Sequence, residues 1–398
     1  MGHSLGAISS EASPAHEVPA RLDPADRGVW DDGVVTPGGK ESLARAGMIA
    51  LVPSLVLGVI MLGITYVVSR HYGLPFRDAD GILGGRIGLL IGTIAFFMAL
   101  DVVPRAIRRR GWRWSQLRTG VPEIIRERWS WRRLTIVLLG IVAFYMTYLA
   151  YRNLKSFLPL ITDQDLDQPL LDFEQSLLGG THPFAVLHTV LGTGVSAQVL
   201  STVYLFFLAF VPMSLGAALI VSVNPLPGLW WVLTLGINWT LGTLSYYLVP
   251  TMGPWFIAPQ LFSDLPTTGV SRLQETLLTE RLQVIADPNV TEAVQSVAGF
   301  ASLHASITVS ALLIAHLLRL AKPIRIALWI YVVLTMLATV YFGWHYMLDD
   351  LAGILIGFIS VYVGALLTGN RDVLRRRRSA DAAGVRVDVH RAPPSEPA

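Results

Sequence analysis

The chain has 398 residues, of which 53% are hydrophobic and only 15% charged, with a net charge of +3. A soluble domain typically carries about 25% charged residues, so the balance excludes a pair of ordinary soluble domains and fits one membrane domain with polar tails. There is no cysteine, which excludes disulfides, Cys-ligated zinc, iron–sulfur clusters and thiol catalysis.

Residues 1–45 are rich in Pro, Gly, Ala, Asp and Glu without apolar periodicity and read as a disordered tail. No apolar core lies near Met1, so no cleavable signal peptide is expected and the first spanning helix starts membrane entry. About eight stretches follow that are long enough to span, near 47–68, 85–104, 134–153, 198–222, 227–249, 303–320, 324–343 and 348–368. Each approaches the roughly 20 residues that cross about 30 Å of hydrocarbon. The first two spans and an Arg-rich connector occupy 46–133, and a core of six spans occupies 134–368. Residues 369–398 form a second tail that opens on Arg375-Arg376-Arg377-Arg378. No internal repeat suggests an inverted-repeat transporter.

The arginines set an orientation. The connector 105–133 carries Arg105, Arg108, Arg109, Arg110, Arg113, Arg118, Arg126, Arg128, Arg132 and Arg133. The turn near 319–325 carries Arg319, Lys322 and Arg325, and the last tail carries four more. Placing all three in the cytoplasm threads eight spans without conflict and puts both termini inside. The segments 69–84, 154–197, 250–302 and 343–347 then face outward. Trp112, Trp114, Trp129 and Trp131 among the connector arginines suit an interfacial stretch, although a positive-inside anchor explains them more simply. Composition and the lack of sorting signals point to a bacterial plasma membrane.

Two motifs carry chemistry. Ala301-Ser302-Leu303-His304-Ala305-Ser306 opens the sixth span, and Gly343-Trp344-His345-Tyr346-Met347-Leu348-Asp349-Asp350-Leu351-Ala352-Gly353 forms the turn before the eighth. The arginine topology alone puts both histidines at the same face. His345 and Asp349 are four apart and share a helix face. A carboxylate beside an imidazole fixes its tautomer and stabilises its cation, which suits a nucleophile attacking phosphorus. His304 then protonates the leaving oxygen. Ser302 reads as an N-cap that frees backbone N–H groups to meet phosphate.

Ser302-Leu303-His304-Ala305-Ser306 resembles the Ser-x-His motif of the type-2 phosphatidic acid phosphatase superfamily. His345-Tyr346-Met347-Leu348-Asp349, running into Leu351-Ala352-Gly353, resembles its last motif. The resemblance covers roughly 134–368. It implies an all-α fold: a polytopic membrane helical bundle of about eight spans with a six-helix phosphatase-like core. It also implies a phosphohistidine on His345, with Asp349 orienting and His304 as acid. No metal or cofactor is implied.

The departures have their own content. The phosphatases usually carry an Arg six residues before the nucleophile, where this chain has Thr339, and the Arg-Pro of their first motif is missing. Inositol phosphorylceramide synthases also lack that pattern. Their Tyr…Pro-Thr-x-Pro-Pro-Trp segment resembles Tyr247-Leu248-Val249-Pro250-Thr251-Met252-Gly253-Pro254-Trp255. The resemblance thus leans toward an inositolphosphotransferase-like branch. With the usual cations missing, Arg152 and Lys155 are the candidate phosphate ligands, against a plain snorkelling role. Tyr246, Tyr247, Trp255 and Trp344 are candidate pocket walls, against an aromatic belt.

The expected partners are a lipid phosphate, membrane lipids and an acceptor that is water or an alcohol, with no nucleic acid. Gly2-His3-Ser4-Leu5-Gly6 matches a nucleophile elbow only by chance, because no strand or helix frames it. His71, His182, His188 and His316 are scattered, without metal-ligand spacing. The competing class is a transporter that uses the histidines as proton carriers.

Overall fold

The computed structural model describes residues 37–78, 81 and 87–374, and no strand occurs among them. The long helices are α1 (Pro37–Tyr72), α2 (Ile87–Arg110), α4 (Trp131–Ile161), α7 (Val195–Gly216, continued by a π turn, Ala217–Val221), α8 (Pro225–Leu248), α12 (Lys322–Tyr341) and α13 (Met347–Leu367). Shorter ones are α3 (Trp114–Arg128), α5 (Asp167–Leu177), α6 (Pro183–Leu191), α9 (Pro254–Ile257), α10 (Gly269–Ala286) and α11 (Leu303–Leu317). The starts follow local chemistry. The Ser130 side chain accepts from Arg133 N at the head of α4, Asn224 accepts from Leu226 N at the head of α8, and Ser302 accepts from Ala305 N at the head of α11.

The fold is an all-α polytopic bundle. Among the described residues, five helices are long and apolar enough to cross a membrane: α1, α4, α7 with its π turn, α12 and α13. Sequence reading expects about eight spans, and the other three fall on α8, α11 and α2. The expected 227–249 span is α8, with Thr234, Gly236, Asn238 and Tyr246 buried along it. It packs against α1, α4, α11 and α13 at the centre of the bundle. Its neighbours are protein, so it need not be as apolar as a lipid-facing helix. The 303–320 span is α11, only 15 residues long. The 85–104 span corresponds to α2, which begins at Ile87 beside the undescribed residues 82–86.

Residues 1–36 and 375–398 lie outside the described residues, and with them most of both expected tails, the four-arginine run and the Gly2–Gly6 motif. Residues 37–45, expected as tail, are the first turns of α1, and residues 371–374 are helical as well.

The two ends of the bundle differ. One gathers the start of α4, the π turn and the end of α2, and is rich in arginine. Buried Asp101 accepts from Arg105 (2.5 Å), Arg128 (2.8 Å) and Trp129 Nε1 (3.0 Å) there. Arg133 donates to the carbonyls of Ile220 and Ser222 at 2.8 and 2.7 Å. Trp112, Trp114 and Trp131 stand exposed around it. The other end holds the ends of α4, α8 and α12 and the starts of α7, α11 and α13. The histidines are there.

Candidate functional site

The site depends on two backbones touching. A Cβ at Gly353 of α13 would collide with the carbonyl oxygen of Ser302, and one at Gly357 would lie 2.7 Å from that of Ser306. Glycine there lets α13 lie against the head of α11. The contact is closed by Ser302 N, which donates to the Asp349 carbonyl at 2.9 Å. The cap that starts α11 and the acid that starts α13 are thus one unit.

The turn carrying His345 is held from two sides. The amides of Trp344 and His345 donate to the Thr339 carbonyl at 2.9 and 3.3 Å. A strap formed by residues 250–255 closes the other side. Trp255 N donates to Gly343 O at 2.9 Å, and Gly253, at φ 108°, abuts the Trp344 carbonyl where a Cβ has no room. The strap is anchored in turn by Asp167. Its carboxylate accepts from Met252 N (2.7 Å), Gly253 N (2.8 Å) and the Tyr346 hydroxyl (2.9 Å). Burial pushes Asp167 up to about 6. Glu174 accepts from Leu348 N at 3.1 Å, and burial, with the nearby Asp349 charge, pushes it up to about 7.

His345 Nδ1 lies 3.3 Å from Asp349 Oδ2, which also accepts from Tyr346 N at 3.0 Å. A proton on Nδ1 leaves the lone pair on Nε2. His345 is 5% exposed. Burial pushes it down to about 4, with the Lys155 ammonium acting in the same sense and Asp350 opposing. The ring is therefore neutral at neutral pH, the form that attacks an electrophile. The His304 ring lies 5.8 Å from it, centre to centre. His304 is wedged between Tyr204 (4.5 Å, stacked) and Phe207 (4.2 Å), both on α7.

Lys155 is buried, with its ammonium 4.8 Å from the Tyr246 ring and 3.5 Å from the Tyr151 hydroxyl. It lies within electrostatic reach of both imidazoles. Among the described residues no carboxylate stands within ion-pair distance of it. A buried cation beside two histidines with no counter-ion suits an anionic ligand. Trp344 stacks on Tyr204 at 5.2 Å, and its Nε1 is buried without a partner.

His304, His345, Asp349, Ser302, Lys155 and Trp344 are therefore brought together. Arg152 turns toward the 288–302 loop, donating to Ser296 Oγ at 2.7 Å. The Tyr247 hydroxyl donates to Leu154 O at 2.7 Å and ties α8 to α4. Trp255 packs behind the turn, beside Phe256 and near Phe262 and Tyr346. Thr339, where the resemblance expects Arg, contacts Asp350 Oδ2 at 2.9 Å. Sequence reading missed Tyr204, Phe207 and Asp350. For the first two no local signal exists, because α7 meets α11 only through the fold. Asp350 had one: a second acid in the first turn of an apolar helix.

His188 bonds the Tyr341 carbonyl at 2.8 Å, and His316 accepts from Trp329 Nε1 at 3.0 Å. Among the described residues no group of three or more His, Asp or Glu is placed to hold a metal ion. No curated protein and no solved structure matches the chain at a significant level. A family comparison does find a match, and it spans both histidine motifs: residues 168–363, just under half of the chain, match the model of the PAP2 superfamily.

Proposed function

We propose that the chain is an integral-membrane enzyme that breaks a phosphate ester of a lipid through a phosphohistidine. The observation that carries this reading is the placement of His345, bonded to Asp349 and facing His304, with Lys155 close by and without an acid partner. It gains from the superfamily match over the same segment and from the apolar helices around it.

In this reading a lipid phosphate enters laterally and Lys155 draws in its anionic oxygens. His345 Nε2 attacks phosphorus as the bond to the leaving alcohol breaks. His304, protonated in the substrate complex, gives its proton to the departing oxygen. Asp349 keeps Nδ1–H directed and balances the charge that grows on the ring. Neutral His304 next takes a proton from water or from an alcohol, whose oxygen attacks the phosphohistidine and frees His345. Water makes the enzyme a lipid phosphatase, and an alcohol such as inositol or a lipid hydroxyl makes it a headgroup transferase.

We favour the inositolphosphotransferase-like form because of the Tyr247–Trp255 segment and the absence of the phosphatase cations at 339 and in an Arg-Pro. The arginine-rich end, opposite the histidines, supports an active site on the extracytoplasmic face of the plasma membrane with both termini inside.

The test is turnover of labelled lipid phosphates by purified protein, with and without candidate alcohols. Acceptor-dependent headgroup transfer is the expected result, and phosphate release indifferent to acceptor would reduce the enzyme to a phosphatase. A transporter that uses the histidines as proton carriers instead predicts passage of substrate with no phosphorus turnover.

A further inference from the structure

Asp350 follows Asp349 in the first turn of α13 and is buried. Its surroundings come from four helices and the histidine turn. They are Thr339 on α12 and Ser302 at the head of α11, both in hydrogen-bond contact with its carboxyl, together with His345 in the turn, Asp349 beside it on α13 and the Tyr204 phenol on α7. No lysine or arginine is among them, and among the described residues no cation lies within ion-pair distance of Asp350. A carboxylate buried without a counter-ion is expensive, and such groups neutralise instead.

A count of hydrogens leads to the same place. The Thr339 hydroxyl has one proton. Its oxygen lies 2.7 Å from the Met336 carbonyl and 2.9 Å from Asp350 Oδ2. The carbonyl can only accept. A helical threonine ordinarily gives its proton back to the preceding turn, and that contact is the shorter one. The contact to Oδ2 is then filled only when Asp350 supplies a hydrogen. The other oxygen, Oδ1, is buried with no partner, a position that suits the carbonyl oxygen of a neutral acid better than half of a carboxylate.

We propose that Asp350 rests as a protonated, neutral carboxyl and acts as a positioning residue for His345 by donating to Thr339. Thr339 is the hub of the turn, because its carbonyl receives the amides of Trp344 and His345. The Asp350–Thr339 bond joins the end of α12 to the start of α13 across the residue that must meet phosphorus. A neutral carboxyl does this without adding a negative charge beside the incoming phosphate. The proposal rests on His345 being the nucleophile.

The test combines infrared spectroscopy with turnover in the full-length protein. At neutral pH a protonated-carboxyl stretch is expected in the wild type and lost in Asp350→Asn. Asparagine keeps a donor to Thr339 and Asp350→Ala does not, so Ala is expected to lose about tenfold in kcat, the scale of one hydrogen bond, and Asn to restore most of it. Thr339→Val should fall with Ala, and Thr339→Ser should recover. An infrared band unchanged by Asp350→Asn overturns the proposal, as does an Asn variant as impaired as Ala. Should the wild type turn over no lipid phosphate, the functional reading fails on its own account, and the band still decides where the proton is.

Discussion

The two ends of this bundle treat buried charge in opposite ways. At the arginine-rich end every oxygen of Asp101 is used, by Arg105, Arg128 and Trp129. At the histidine end, Lys155 has no acid to pair with, and Trp344 Nε1, Asp349 Oδ1 and Asp350 Oδ1 are buried without partners. Unpartnered buried polar atoms cost stability. Several such atoms gathered around one unpaired cation are what a site for an anionic ligand would leave open.

The comparison breaks most sharply at the histidines. His345→Ala is expected to lower phosphorus turnover by about 10⁴-fold or more, as loss of a nucleophile does, and His304→Ala by roughly 10²–10⁴-fold. Radiolabelled phosphate release reads both, and a wild-type rate in either variant removes that residue from the chemistry. At the other end, Asp101→Asn strips the countercharge from Arg105 and Arg128. Breaking a buried pair costs about 3–5 kcal/mol, read as a lower melting temperature in detergent, while the folded fraction keeps its kcat. A loss of kcat in that variant would mean that the two ends are coupled.

Lys155 lies between these cases in size. Lys155→Met keeps the stem and removes the charge. A charged hydrogen bond is worth about 1.5–3 kcal/mol, so kcat/KM should fall by roughly 10- to 100-fold, mostly through KM. Arg152→Met should do much less, since its guanidinium meets Ser296. Equal losses in the two would cancel the distinction drawn between them.

That distinction marks where the sequence stops being readable. The histidine motifs were legible because their logic is local: His345 and Asp349 are one helical turn apart, and Ser302 caps the helix that carries His304. The long helices were legible from apolar runs, even α8, whose polar residues are hidden by neighbours. Arg152 and Lys155, three residues apart on α4, look alike in sequence. Only the packing of α4 against α8 turns Lys155 under Tyr246 and leaves Arg152 to the loop. The Tyr204–Phe207 wedge on His304 joins residues about a hundred positions apart. No local pattern predicts it.

The smallest expected effect concerns protons. Burial holds His345 near 4 rather than its ordinary 6.5, so kcat/KM should stay flat as the pH falls through 6.5 and decline only toward about 4. A limb near 6.5 would mean that the ring is far wetter than its packing implies. The same shift acts on stability. Between about 6.5 and 4 the unfolded chain takes up a proton that the folded His345 refuses, so this residue's contribution weakens as the pH drops through that window. Asp167 and Glu174 work in the other direction. Held near 6 and 7, they keep protons that the unfolded carboxylates release, and so favour the folded state increasingly as the pH falls. Wild-type melting alone would blur the opposing signs. Comparison with His345→Asn separates them: between pH 7 and 5 the wild type should lose stability relative to the variant. If the gap does not change, His345 titrates alike in the folded and unfolded chains, and the neutral nucleophile must be given up.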